Sequence, residues 1–541
     1  MNFSSRFTKH LMGVCLVSSL ALLTGCGTAT ESLFPEPSTP NTSDPSKDTN
    51  DTTNTGNTSD TNQPIVGTNL GTVKTTINSD PDFLDPHFSE SADTETMMNN
   101  VFEGLLGVDA KGEFVPVLAK DYTVSEDNLV YTFTLKDNVV FHNDTPMTAD
   151  DVIYSYNRLS GLNGEPALSS KFETVTAITK LDDLTVQFTL STPTSSFLSG
   201  CTDAVIPENY TEQATKPIGT GPYLFESYAP GQSITLKSYP HYHNKTVDLP
   251  VETVEFLIMP DPSSALLALK AGDLDIAQID SINAEIIGDQ FNIISYPQNM
   301  VQLFALNHDV PPFDDVRVRQ AINYAIDQDL IINGVVNGYG SKVYTHGSPV
   351  TPFWTNDFEG QDPYPYDVEK AKTLLAEAGY SEGFSTTVKV PSNYQTHVNT
   401  AQVIADMLSK VGITLNIELT EWGQWLEQVY TNRNYETTIV ALTGQPDPHD
   451  TYIRYTTDYS KNFYNYSNPD YDALINAANL EGDITARAEL YKEAQQLLTE
   501  DSAAVYIMDP HLILGSDTEL SGFIPYPYQF FDASKLFYIN N

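Results

Sequence analysis

The runs Thr387-Val-Lys-Val390, Ile413-Thr-Leu-Asn-Ile-Glu-Leu419 and Thr437-Thr-Ile-Val-Ala-Leu442 are short, rich in β-branched residues and separated by longer segments of helical character. One such segment is Thr396–Lys410, and another opens at Trp422. Strands of this length alternating with helices predict a βαβαβ series, and hence a mainly parallel sheet with helices on its faces. The alternation extends in both directions. Upstream, Val254–Met259 reads as a strand, Ser263–Lys270 as a helix and Leu274–Ile279 as a strand. Asp314 or Asp315 caps a helix with Val318, Ile322, Ala325 and Ile326 on one face. Asp367 opens another (Val368, Ala371, Leu374, Leu375), which Gly379 closes. Downstream, Ala486–Leu498 is the last long helix and Ala503–Met508 a strand that ends this part of the chain.

The earlier part of the chain is built differently. Thr72–Ile77 reads as a strand, Phe83-Leu-Asp-Pro-His87 as a turn, and Thr94–Leu105 carries apolar residues at helical spacing (Met97, Met98, Val101, Leu105). Tyr131–Leu135 and Val186–Leu190 alternate faces as half-buried strands do. Between them Thr148 caps a helix with Asp150 and Asp151 in its positive first turn, and Val152, Ile153, Tyr156 and Leu159 supply its buried face. The chain therefore reads as α/β with a β-rich portion early on, and no repeat of fixed period runs through it.

Length and charge narrow the function. The 541 residues suffice for two or three domains with sizeable cores. Seventy-one acidic against 27 basic residues give a net charge of −44, which excludes nucleic acid as a phosphate-bound partner. An anionic bilayer surface would likewise repel this body.

At the start, Arg6 and Lys9 precede an uncharged apolar run, Leu11–Leu23, too short for the ~20 residues a spanning helix needs. Residues 1–25 read as an export signal that is removed. Leu23-Thr-Gly-Cys26 resembles the bacterial lipobox, which implies lipidation of Cys26 as the new N-terminus and a place on the extracellular face of the cytoplasmic membrane, or the periplasmic side if an outer membrane exists. Cys15 would leave with the signal, so Cys201 stands alone and the mature body forms no internal disulfide. Residues 26–66, as in SDPSKDTNDTTNTGNTSDTNQP, hold too little apolar surface to fold and read as a disordered tether spanning on average ~35 Å.

Catalytic motifs are missing: there is no G-x-S-x-G, H-E-x-x-H or phosphate loop. Gly219-Thr-Gly221 is followed by Pro222 and reads as a backbone turn. The acidic residues supply no specific pair for glycoside hydrolysis. His241-Tyr-His243 has a spacing that can hold Zn²⁺ or Ni²⁺, yet no partner cluster accompanies it, so surface or packing roles are expected. Asp-Pro-His occurs at 85–87, 447–449 and 509–511, where Asp-Pro predicts three loop openings. No enzyme, cofactor or metal site is expected.

Longer stretches are more specific. Val101-Phe-Glu-Gly-Leu-Leu-Gly-Val-Asp109, Phe114-Val-Pro-Val-Leu-Ala-Lys120, Tyr131-Thr-Phe-Thr-Leu-Lys-Asp-Asn-Val-Val-Phe-His142 and Thr145-Pro-Met-Thr-Ala-Asp-Asp-Val-Ile-Tyr-Ser-Tyr156 form the first group. Ile218-Gly-Thr-Gly-Pro-Tyr-Leu-Phe-Glu-Ser-Tyr228 runs through Pro230-Gly-Gln232 to Tyr239-Pro-His-Tyr242, and Pro312-Phe-Asp-Asp-Val-Arg-Val-Arg-Gln-Ala-Ile-Asn-Tyr-Ala-Ile326 follows. Together they resemble the oligopeptide/dipeptide/nickel class of solute-binding proteins of ABC importers, over residues 70–541. That resemblance implies a two-lobed, hinged, periplasmic-binding-protein-like clam with an extra β-rich domain inserted in the first lobe. Lobe one would take 67–106, 215–305 and 505–541, the β-rich insert 107–214, and lobe two 306–504.

It also implies two ligand-contact regions. Ser89, Glu90, Ser91 and Ala92 would line the cleft on one side, and Trp422 with Thr443, Gly444, Gln445, Asp447 and His449 on the other. The family's amine-binding Asp position falls at Gly444, and Ala441 stands where a Trp usually precedes it. Asp447 or Asp450 would have to reach in instead, or the solute carries no free amine there. Glu90 is the other candidate carboxylate. The function implied is a monomeric, membrane-anchored receptor that delivers a peptide or similar small solute to an ABC permease and its ATPase subunits by hinge closure. Rival readings on the same scaffold are a nickel, metallophore or oligosaccharide receptor; outside it stands a secreted glycoside hydrolase.

Overall fold

The computed structural model describes residues 71–539, apart from 90, 195, 352, 356–357, 359–360 and 529. The export signal, the tether, Cys26 and Glu90 lie outside the described residues. Among the described residues, no helix is long and apolar enough to cross a membrane.

Two α/β lobes meet along one 13-residue strand, Val505–Asp517. Its start pairs antiparallel with Met300–Leu306 and its far end with Phe291–Pro297 and Ile276–Ile279. Gly340–Lys342 pairs with its middle, at Met508–Pro510. Beyond Met300–Leu306 the sheet continues through Thr437–Thr443 and Phe384–Pro391 to Ile413–Thr420. A separate four-stranded sheet orders Thr72–Ile77, Thr253–Ile258, Ser233–Ser238 and Tyr223–Ala229. A third, entirely antiparallel, orders Ala119–Val124, Val130–Leu135, Thr185–Leu190 and Val175–Asp182.

The expected mainly parallel sheet is mixed. Phe384–Pro391 runs parallel to both its neighbours, as helical crossovers dictate, but Met300–Leu306 enters from the other lobe and Val505–Asp517 leaves for it, and these two join antiparallel. Asp509-Pro-His511 is the second departure: it continues the long strand where a loop was expected. Pro510 lacks the N–H a ladder needs, and it sits where the strand changes partners, between Met508 and His511. Asp85-Pro-His87 does make a turn, closed by Phe88 N–H to the Asp85 carbonyl at 3.1 Å.

The helix expected over Thr94–Leu105 covers only Ala92–Met98. Beyond it the carbonyls of Asn100 and Val101 accept the N–H groups of Tyr223 and Gly221, each at 3.0 Å. A helix cannot continue where its carbonyls are taken from outside. This clasp explains the glycines of Ile218-Gly-Thr-Gly221, since a Cβ on Gly221 would come within 2.8 Å of the Val101 carbonyl carbon. Caps elsewhere follow the sequence. Thr148 accepts from Asp150 N–H while Asp151 accepts from Thr148 N–H, a reciprocal capping box. Asp315 and Asp367 cap Val316–Ala325 and Val368–Glu377. Arg319, the second arginine of that motif, is buried and donates to the carbonyls of Phe313, Asp501 and Ser502 at 2.8–3.2 Å. It thereby ties its helix to the end of Ile484–Glu500.

The two histidines with metal-like spacing part company. His241 faces Asp144 at the surface, whereas His243 is buried and donates to Glu103 at 2.9 Å. Tyr242 and Thr220 hydroxyls also donate to Glu103, at 2.8 and 2.9 Å. Glu103→Ala would leave three donors without this acceptor, Thr220 and His243 buried and Tyr242 half-buried, so a loss of about 2–4 kcal/mol is expected, read as a lower urea midpoint. An unchanged midpoint would show that these donors find other partners.

Candidate functional site

The loop that follows strand Thr437–Thr443 is the centre of the site. Thr443 still pairs with Met300, and the next N–H, on Gly444, donates to the Asn299 carbonyl at 2.7 Å. Asn299 is buried with φ +55°, and its Nδ2 donates to the Pro527 carbonyl at 3.0 Å. Its amide fills the space in front of Gly444: a Cβ there would collide with Asn299 Oδ1 and come within 2.6 Å of its Cγ. Position 444 therefore has no room for any side chain while Asn299 stays in place. Gln445 is exposed beside it.

Asp447 is fully enclosed. Its Oδ1 accepts from Arg487 Nη2 at 2.6 Å and from His449 N–H at 2.8 Å, the latter opening the short helix His449–Tyr452. Arg487 in turn lies over the rings of Phe353 and Tyr491, 5.4 and 5.2 Å from their centroids. Asp447 and His449 thus hold the loop in shape, with His449 itself buried. Asp450 is only partly covered, and burial, reinforced by the Asp447 charge, pushes its carboxyl up to about 6.

Trp422 opens a helical turn that widens into a π turn over Leu426–Thr431. It is half-buried, stacked on Trp425 with ring centroids 5.1 Å apart at 4°, and met edge-on by the exposed Tyr394 at 5.4 Å. Trp425 is fixed from below by its indole N–H to Thr438 Oγ1 at 2.9 Å.

On the other lobe, Asp82 organises the cleft segment. It accepts from the Ser89 hydroxyl at 3.0 Å, the Ser91 N–H at 3.0 Å and the Thr94 hydroxyl at 2.7 Å. Ser91 is the residue before the helix and Ala92, exposed, its first. Arg158 clamps the preceding turn through a two-pronged pair with Asp85 at 2.7 and 3.1 Å. Nearby, Lys171 pairs with Asp203 at 3.0 Å. Burial disfavours the Lys171 ammonium, but Asp203 outweighs it, and Asp450 and Glu95 add to the same effect, so its pKa rises. Charges of the β-rich portion and of the later α/β portion therefore act on one another. The two portions also touch: a Cβ on Gly482 would come within 2.6 Å of the Asn128 side chain at the tip of the Val124–Val130 hairpin.

A small pocket opens beside Gly444, walled by Asn299, His346, Ser348, Thr351, Pro448 and Tyr452 among others. Counting from Trp422 puts the family's Asp position at Gly444, and nothing in the sequence points to Asn299, His346 or Ser348 beside it. They lie about 100 to 150 residues upstream of the loop and carry no motif of their own. Among the described residues, no group of three or more His, Cys, Asp or Glu side chains is placed to hold a metal ion.

The raised Asp450 pKa makes a measurable difference. Its folded-state carboxyl binds a proton more tightly than the unfolded chain does, so its favourable contribution is complete below pH 3.8 and is lost as pH rises through about 6. Asp450→Asn should therefore raise the melting temperature relative to wild type at pH 8, with the gain gone by pH 4. A gain of equal size at both pH values would refute this origin.

The family model for bacterial extracellular solute-binding proteins, family 5 (middle), matches residues 113–464. The chain is 27% identical over 475 residues to the glutathione-binding protein GsiB of Pectobacterium atrosepticum, covering 83% of this chain and 91% of that protein. It is 28% identical over 460 residues to the dipeptide-binding protein of Escherichia coli, covering 77% and 84%. Among solved structures, the ABC transporter substrate binding protein CtaP of Listeria monocytogenes matches with a TM-score of 0.78 and 26% identity, over 87% of this chain and 99% of that one. A two-lobed α/β body joined by one long strand, together with a family match across most of the described residues, makes this chain a member of the family 5 bacterial extracellular solute-binding proteins of ABC importers.

Proposed function

We propose that the protein is a membrane-anchored receptor that encloses a peptide-like solute between its lobes and hands it to an ABC permease, whose ATPase subunits supply the energy. The observation that carries this reading is the meeting of groups from the β-rich insert and from lobe two: Asn128 against Gly482, and Lys171 within electrostatic reach of Asp450. A solute that touches both lobes favours the closed state by the contacts that exist only there. Glutathione and dipeptides, named for two relatives, share amide bonds and charged ends. Asp450 and Lys171 offer such ends one carboxylate and one ammonium. Ser91, Ala92, Trp422, Thr443, Gly444 and Gln445 form the proposed contact surface, while Asp447 and His449 act through the loop they hold.

No covalent step is part of this function. Lipidation at Cys26 and the 26–66 tether would keep the receptor near its permease, so that delivery is a local encounter at high effective concentration. The division into 67–106, 215–305 and 505–541, 107–214, and 306–504 belongs to the same proposal, as does a monomeric state.

Isothermal titration with a peptide library should find a binder at micromolar affinity or better. Silence from peptides, with binding of a metal chelate or an oligosaccharide, would overturn the peptide assignment. Closure has its own test. Gly482→Leu places a side chain where Asn128 sits, so the affinity of any binder should fall at least tenfold while the melting temperature of the unliganded protein stays within about 2 °C. Unchanged affinity would mean that this contact is not part of the closed state.

A further inference from the structure

Asp-Pro-His occurs three times, and the third copy is held differently from the other two. Asp85 is paired with Arg158 and Asp447 with Arg487, and each carboxylate also accepts the N–H of its own histidine, at 3.1 and 2.8 Å. Asp509 is 0% exposed, and its carboxylate is held by uncharged donors instead: the N–H groups of Gln298, Asn299 and Met300 and the Ser348 hydroxyl. Among the described residues no cation pairs with it.

Those donors sit where the chain passes between lobes. Residues 298–300 link strand Phe291–Pro297 to strand Met300–Leu306, and Ser348 follows Gly340–Lys342. Gln298 Nε2 also donates to the Pro510 carbonyl at 2.9 Å. His511 completes the knot, its two ring nitrogens meeting the hydroxyls of Ser295 and Ser341 at 2.8 and 2.9 Å. The long strand changes partners here, with Pro510 lacking an N–H and Asn299 in a left-handed conformation. A rotation of one lobe against the other is absorbed most readily at such an interruption, and it moves the donors of 298–300 relative to the carboxylate.

Burial pushes the Asp509 carboxyl up to about 7 despite its donors, whereas a hydrated aspartate ionises near pH ~4. The titratable groups on the elements around it behave otherwise. Lys342 is engaged by Asp329 and Asp362 at 3.3 and 3.1 Å, and burial holds His346 neutral, with its pKa at about 3. Burial raises Tyr296, Tyr344 and Tyr526 above the ordinary tyrosine range and lowers His511 below the ordinary histidine value. A conformer that buries Asp509 therefore binds a proton more tightly than one that hydrates it. Its advantage is complete below the pKa of the hydrated carboxyl and is lost as pH rises through about 7.

We propose that Asp509 makes lobe closure proton-linked: the closed arrangement takes up a solvent proton on this carboxylate, and opening, which hydrates it, returns the proton to water. The proposal rests on the hinge-closure reading above and goes beyond it by naming a regulator. Acid surroundings then favour retention of the solute, and alkaline ones favour its release.

Closure can be read without any solute. A Cβ at position 482 would lie 3.1 Å from Asn128 Cγ, the place where a cysteine carries its sulfur, so Asn128→Cys/Gly482→Cys can form a disulfide when the two portions meet. The full chain carries this pair together with Cys15→Ser, Cys26→Ser and Asp450→Asn, the last removing a second carboxyl that titrates nearby. The equilibrium constant of the disulfide against glutathione, measured at pH 6, 7 and 8, then follows the closed population. It should fall at least threefold from pH 6 to pH 8. Adding Asp509→Asn, which is neutral throughout, should abolish that fall and keep the constant near its pH 6 value. Should this variant fail to fold, Ser348→Ala serves: it removes a donor to the anion, so the midpoint of the fall should move to higher pH. A fall that Asp509→Asn leaves unchanged, a midpoint unmoved by Ser348→Ala, or a constant that is flat or rises with pH would overturn the proposal. A pair that stays reduced at every glutathione ratio would overturn the closed contact as well. Proton-linked closure in a chain that binds no peptide would uphold this proposal and sink the peptide reading alone.

Discussion

Everything in this fold depends on how the chain passes between lobes, and one carboxylate sits at that passage. Asp509 lies in the strand that joins both lobes, buried, and accepts the N–H groups of Gln298 and Met300 from the other crossing segment. The Ser348 hydroxyl and the Asn299 N–H add to this cradle. Burial alone disfavours the anion, and despite these donors its pKa is pushed up to about 7. The interaction is therefore poised near balance: strong enough to hold two crossings together, and not deeply stabilised in its ionised form. Pro510, next to it, contributes no ladder N–H at the point where the strand leaves one set of partners for another. A stiff strand interrupted there, with a single polar knot, is a sound physical basis for a hinge.

The same segment determines what stands beside Gly444. Residues 297–300 carry the chain from one stretch of the long strand to the next without changing direction, and Asn299 takes a left-handed backbone conformation there, one that asparagine tolerates better than most side chains. Its side chain is then directed against Gly444, and its Nδ2 is held by the Pro527 carbonyl from the C-terminal segment. Hinge geometry and the absence of a side chain at 444 are thus one fact seen from two sides. Restoring a carboxylate at 444 without altering Asn299 would strain the segment on which both crossings rely.

Much of this was legible in the sequence where the signal is local. The Thr148 capping box, the Asp315 and Asp367 caps and the strands at 387, 413 and 437 depend on neighbours within one turn or one pleat. The glycines of 218–221 read only as a backbone turn, with no sign that Asn100 and Val101 approach them closely or end a helix early. At the candidate site, counting from Trp422 located Gly444, but its cause lies 145 positions away in Asn299. Asp447 looked available because its neutralising partner, Arg487, is 40 residues downstream and leaves no mark near the loop. Contacts of that kind are decided by packing, which a single sequence records only as composition.

The floor under the loop shows why a preformed pocket is compatible with a moving protein. Beneath residues 444–452 lies an aromatic layer in which Tyr455 stacks on Tyr464 at 4.4 Å and Tyr471 donates to the Tyr452 carbonyl at 2.6 Å. Tyr491 and Phe353, packed edge to face, both contact the Arg487 guanidinium, and Arg487 fixes Asp447. A tyrosine can serve such a layer better than phenylalanine, because its ring fills volume while its hydroxyl reaches a buried polar group, as Tyr471 does with the Tyr452 carbonyl and Tyr455 with His346. With the loop fastened to a rigid floor, motion is left to the hinge, and the two tasks are carried by different interactions. On the proposed closing mechanism the loop and its floor would stay rigid, while the approach of Asn128 and Lys171 from the β-rich portion would complete the enclosure of the solute.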